Sequence, residues 1–184
     1  MKKIIAFILV LMLLTSIASC GEKTDESKNE SQASTVNVGS LTDIVKNICS
    51  ENNLTTGKTF TSESTVKGEY LNADLISGYY GSMFEAPDFS LIEEYCVYID
   101  EHDTNLRIEI GIFKVFDSNN NTMVQDFIKL RKDNIIEAAI NYPAVDAEPF
   151  KNVIIDTIGN YTYYIAVKDN RTEINSVVRE KLSA

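Results

Sequence analysis

Residues 94–116, EYCVYIDEHDTNLRIEIGIFKVF, decide how this chain folds. Tyr95, Val97 and Ile99 alternate through the first seven residues, and Leu106, Ile108, Ile110 and Ile112 alternate through the last eleven. A period of two places such residues on one face of a strand. The intervening EHDTN is polar and rich in residues that bond to their own backbone, which is turn chemistry. The stretch therefore reads as a β-hairpin.

Working outward, DSNNN (117–121) offers N-caps to a long helix over 122–141. Val124, Phe127, Ile128, Ile135, Ala138, Ala139 and Tyr142 recur at helical spacing and form its expected buried stripe. The pattern then returns. KNVIIDTI (151–158) and YTYYIAVK (161–168) flank Gly159-Asn160, a two-residue hairpin signal, and Asn170 with Glu173 is expected to cap a last helix that turns Ile174, Val177, Val178 and Leu182 inward. The runs 110–130 and 163–182 share strand, Asp/Asn cluster and amphipathic helix, so the chain reads as a doubled β-β-α unit. Two isolated hairpins are marginal. The economical fold is α+β: a four-stranded antiparallel sheet made from the two hairpins, with helices packed on one face.

An N-terminal helix precedes this core. In SLTDIVKNICSENN (40–53), Leu41, Ile44, Val45, Ile48 and Cys49 lie on one helical face, and Ser40 with Asp43 resembles a capping pair. Residues 52–70 are polar and read as loop with room for a short strand through 58–65; LNADLISGYYG (71–81) reads as a short helix broken at Gly78 or Gly81.

Ahead of residue 41 the character changes. Lys2 and Lys3, an unbroken aliphatic run from Ile4 to Leu14 with one Phe, and then small residues have the order of a secretory signal. The run is shorter than the roughly 20 apolar residues that span a membrane. Within TSIASCGEKT (15–24), Ile17-Ala18-Ser19-Cys20 resembles the lipobox of bacterial prolipoproteins. That resemblance implies a diacylglyceryl group on the Cys20 thiol and cleavage before it. The expected organisation is a signal peptide at 1–19, a lipidated Cys20 with a tether to residue 40, and one α+β domain at 41–184. Each buried acyl CH₂ contributes about 0.8 kcal/mol, and two chains anchor stably where one is marginal.

Residues 21–40 contain no aromatic residue and two valines. So polar a segment buries too little apolar surface to offset chain entropy and is expected to be disordered. As a flexible coil, ~20 residues reach roughly 22 to 27 Å. Loss of residues 1–19 removes Lys2 and Lys3 and no acid, so 17 basic residues fall to 15 against 27 acidic ones, a formal charge of −12. Affinity for phosphate backbones comes from clustered Lys and Arg, and no basic run occurs, so nucleic acid is not expected as a partner. Cys49, on a helix stripe, and Cys96, inside a strand, are expected as buried thiols, with a disulfide as the alternative in an oxidising setting.

The runs GYYG (78–81), EEYCVYI (93–99) and IGNYTYYIAV (158–167), with the long helix between the last two, resemble the Firmicute lipoprotein family known as domain of unknown function 4358. The similarity covers roughly Leu41 to Leu182. It implies a Gram-positive, palmitate-bearing lipoprotein on the outer face of the bacterial cell membrane, and it brings no catalytic residues with it.

The single histidine, His102, sits in the predicted turn beside Asp100, Glu101 and Asp103. Clustered carboxylates can offer oxygens to a cation, but this spacing matches no calcium loop, and the turn is read as acidic turn chemistry. No nucleophile elbow, zinc-binding helix motif or phosphate-cradling glycine loop occurs, so no catalytic, cofactor-binding or metal residue is assigned. Tyr161 and Tyr163 are expected in the core with Ile165, and Tyr164, on the other strand face, is the better surface candidate. The expected function is a non-catalytic interaction module meeting an envelope protein or wall component. The alternative is a small envelope hydrolase using two of the many acidic residues.

Overall fold

In the computed structural model, which describes residues 39–101 and 105–184, five strands form one antiparallel sheet. They are β1 (Lys58–Thr61), β2 (Ile92–Asp100), β3 (Ile108–Val115), β4 (Ile154–Ile158) and β5 (Tyr161–Ala166), in the spatial order β1-β2-β3-β5-β4. The helices are α1 (Leu41–Glu51), α2 (Ala73–Tyr80), α3 (Asn121–Asn141), the single turn α4 (Glu148–Lys151) and α5 (Arg171–Ser183). Both expected hairpins form, β2 with β3 and β4 with β5. At the second hairpin Gly159 takes φ +55°, as the first central residue of a tight hairpin turn requires.

The α+β class and the antiparallel sheet are as expected, but the strand count is not. β1 pairs with β2, Lys58 opposite Ile99 and Thr61 opposite Cys96. Its four residues KTFT carry one apolar side chain, too few to show alternation, although Thr and Phe suit a strand.

The expectation that helices cover one face is overturned. α1 and α5 lie on one face, where Leu41, Val45, Ile48 and Val178 pack with Cys96, Tyr98, Ile112 and Tyr163. α2 and α3 lie on the other, where Tyr80, Val124, Phe127 and Ile128 pack with Val97, Phe113 and Tyr164. The cause is legible in β2: Tyr95, Val97 and Ile99 are apolar, but so are Cys96 and Tyr98 between them, and all five are buried. Strands buried on both faces read as continuous apolar runs. The aromatic centre of the α3 face is tight, with ring centroids 5.0 Å apart for Tyr80 and Phe127 and 5.2 Å for Phe113 and Phe127.

The two β-β-α units share element order but no symmetry. β3 and β5 are adjacent and antiparallel, so the operation relating the hairpins is a two-fold axis normal to the sheet, which leaves each face in place. It would put α3 and α5 on one face; they occupy opposite ones.

Smaller corrections follow from the same packing. Tyr164 is fully buried rather than at the surface, because α3 covers its face. Tyr142 is 68% exposed, lying one residue past α3. Leu106 stands outside β3 in a single bridge to Asp146. The expected caps of α1 and α5 do not form. Asn170 is left-handed (φ 55°) with its side chain on Asn52 at 3.0 Å. Ser40 Oγ instead donates to Glu63 at 3.1 Å, while Glu94 accepts from the Leu41 N–H at 3.2 Å. Carboxylates from elsewhere in the chain thus answer the positive end of α1.

Candidate functional site

Two features of the domain are more than packing. The first is a buried charge network. Arg131 falls on the inward stripe of α3 between Ile128 and Ile135, and Glu109 sits on β3 facing it; they are 6% and 1% exposed. Arg131 Nε donates to Glu109 Oε1 at 3.1 Å, and its Nη2 makes a second bond to the same oxygen. Tyr164 Oη donates to Glu109 Oε2 at 2.9 Å and lies 2.9 Å from Tyr80 Oη. Gly111 makes the arrangement fit. It pairs directly with Tyr164 across β3 and β5, and a Cβ there would run into the tyrosine ring.

Burial works against charge on Arg131, yet Glu109 and the two tyrosines hold its pKa above the ordinary value, so it stays a cation. Burial also pushes Tyr80 and Tyr164 upward, and the charge of Glu109 adds to it, so both remain neutral donors. Each oxygen of Glu109 already accepts a hydrogen bond and none is open to solvent. The carboxylate is therefore placed to fix α3, β3 and β5 relative to one another.

This network reaches the surface on one side. Arg131 lies over the Tyr79 ring at 4.9 Å and contacts Glu101 at 3.3 Å. Tyr79 and Glu101 help line a shallow cleft of about 290 Å³ together with Lys58, Phe60 and Ile99.

The second feature is the loop after α2. Ser82 closes it: its Oγ accepts from the Glu85 N–H at 3.0 Å and its N–H donates to the Glu85 carbonyl at 2.7 Å. The turn so fixed holds out Met83 and Phe84, 90% and 93% exposed. Between this loop and α3 runs a groove of about 450 Å³ with Tyr80, Pro87, Met123, Phe127 and Leu130 in its walls.

Of the residues singled out in the sequence, Cys20, His102 and Asp103 lie outside the described residues. Asp100 is buried and accepts from Thr56 Oγ1 and Tyr98 Oη, whereas Glu101 turns to Arg131. The two carboxylates thus face different partners, and among the described residues no group of three or more His, Cys, Asp or Glu is arranged to hold a metal. Cys49 and Cys96 are both free and buried, as expected, and burial pushes each thiol up to about 12. Tyr163 is in the core, its Oη donating to Asn175 at 2.7 Å; Tyr161 is half-buried.

Arg131, Glu109 and the Met83-Phe84 pair were not foreseen. An arginine on the apolar stripe of α3 was the available signal for Arg131; Glu109, alternating with Ile108 and Ile110, carried none. Two large apolar residues between Gly-Ser and Pro were the signal for the loop.

No helix among the described residues is long and apolar enough to cross a membrane. Comparison with protein-family models, curated proteins and solved structures found no match.

Proposed function

We propose that this chain is a bacterial lipoprotein held at the outer face of the cell membrane by a diacylglyceryl group on Cys20, and that its folded domain is a non-catalytic binding module of the envelope. The observation that carries the anchor is the seam Ile17-Ala18-Ser19-Cys20, between an aliphatic run with a basic start and a segment of charge and serine. Cysteine suits the modification because its thiolate is a strong nucleophile near neutral pH. The Gly and Tyr spacing that resembles domain of unknown function 4358 supports the same setting. The binding role is supported by the Met83-Phe84 loop, whose own hydrogen bonds hold two large apolar side chains in water. Sheet-face recognition through Tyr164 has no place in this reading, since that side chain is buried.

The test of the anchor is the mass of the N-terminal peptide from fractionated membranes, compared between wild type and Cys20→Ala. A diacylglyceryl mass on Cys20, with release of the Cys20→Ala chain from the membrane fraction, is the expected result. An unmodified Cys20 in a chain that still begins at Met1 overturns it.

A further inference from the structure

The groove beside the Met83-Phe84 loop continues into an organised surface. The outer face of α3 carries Met123, Asp126, Leu130, Asp133, Glu137 and Ile140, at successive spacings of three and four residues. Such a stripe runs straight along a helix. Apolar and acidic side chains share it: Met123 and Leu130 line the groove, Ile140 is 75% exposed, and Asp126, Asp133 and Glu137 lie at the surface between them. From Met123 to Ile140 the stripe is about 26 Å long at ~1.5 Å per residue. At its upper end the groove is rimmed by Glu85, Asp88 and Asp126, and no basic side chain lines it. Lys129 meets Asp126 at 3.2 Å in an exposed pair, which screening leaves weak.

Resting on the binding-module reading above, we infer that this groove and the outer stripe of α3 dock a basic amphipathic helix of another protein. Its apolar residues would enter between Ala86-Pro87 and Leu130 and meet Met83 and Phe84 at the exposed tip of the same loop, and its Lys or Arg would face Asp126, Asp133 and Glu137. Charge complementarity decides the occupant. A second copy of this chain would bring the same three carboxylates against each other, and an anionic lipid surface would meet the same repulsion. Residues 21–38 offer two valines as their only large apolar side chains, too little to fill the groove. Helix-in-groove recognition uses anchors at i, i+3, i+4 and i+7, the spacing the stripe presents.

The test uses the full chain in phosphatidylcholine nanodiscs, with empty discs as the blank. A fluorescein-labelled peptide of about 18 residues, long enough to span the stripe, carries Leu at heptad anchor positions and Lys between them. A second peptide has the same composition in scrambled order. Anisotropy titration is expected to show the patterned peptide binding at least about tenfold more tightly than the scrambled one, with affinity falling as salt rises. Asp133→Lys/Glu137→Lys and Met83→Ser/Phe84→Ser are each expected to weaken it about tenfold at unchanged melting temperature, since all four side chains are at the surface. Equal affinity for the two peptides, or binding untouched by both variants, overturns the inference. A concentration-dependent dimer lost in the same variants overturns it in favour of a second copy. Acylated Cys20 without peptide binding leaves the anchor standing and removes this surface; peptide binding by an unacylated chain does the reverse.

Discussion

Arg131 occupies a place where the period of α3 asks for an aliphatic side chain, and Glu109 lies on the face of β3 that α3 covers. Removing one partner leaves the other charged in a desolvated site. Arg131→Met is expected to cost about 3–5 kcal/mol of stability, read as a lower urea midpoint. Glu109→Leu/Arg131→Met is expected to lose much less than the sum of the single changes, because Tyr164 keeps its bond to Tyr80. Equal additivity of the two singles would show that the pair is not coupled. At Gly111 the constraint is the Tyr164 ring rather than backbone conformation. Gly111→Ala overpacks that contact and is expected to cost about 1–3 kcal/mol, accompanied by a changed near-ultraviolet tyrosine signal. At this scale the sequence was only partly legible. Tyr163, Ile165, Cys49 and Cys96 could be placed in the core from alternation and helical spacing alone. Glu109 and Arg131 could not, because a charged residue identifies its own face as solvent until a partner from a distant element is known.

At the scale of elements, the α1–β2 contact carries a pH signature. Cys49 of α1 and Cys96 of β2 each rise through burial from the ordinary 9.0 to about 12. Tyr98 moves from 10.0 to about 12, with burial again the largest cause. The unfolded chain releases these protons above about pH 9 while the folded chain still holds them, so the folded state binds more protons in that window. Stability is therefore full below about pH 9 and is lost as pH rises toward about 12. Urea midpoints measured across that range should fall steeply for wild type and less steeply for Cys49→Ala/Cys96→Ala. Identical slopes would remove the thiols from the account. Most elements were readable here: α1, α2, α3, α5 and both hairpins lie where periodicity and turn residues put them. Their ends were less so. The N-terminus of α1 is satisfied by Glu63 and Glu94 instead of its own cap, and that depends on strands whose approach no local pattern announces.

At the scale of the whole domain, apolar clusters cover both faces of one sheet, and β2, β3 and β5 contribute to both faces. Neither face can come apart without exposing the other side of the same strands, so a single cooperative transition is expected. Labelling of Cys49 and Cys96 reports the α1 face, and labelling of a cysteine placed at Val124, buried on the other side, reports the α3 face. The two should change at the same urea concentration; a separation between them would mean that one layer of helices melts first. The number of layers was the part of the architecture least legible in the sequence. Tyr95, Val97 and Ile99 have the look of a half-buried strand until Cys96 and Tyr98 are counted as well, and only then does a second layer of helices become necessary.

The fastening of α1 has a mechanical meaning. Leu41, the first helical residue, is already 1% exposed, and Ser40, Leu41 and Thr42 are all tied to Glu63 or Glu94 within that first turn. Any tension arriving along the chain ahead of Gly39 is therefore delivered at once to a knot of hydrogen bonds at the end of α1, with no slack in between. Loaded from one end, those bonds meet the force one after another. A helix gripped so peels from its sheet, whereas β2 and β3, zipped along their length, share the load. Under pull α1 therefore takes the load before any strand of the sheet does.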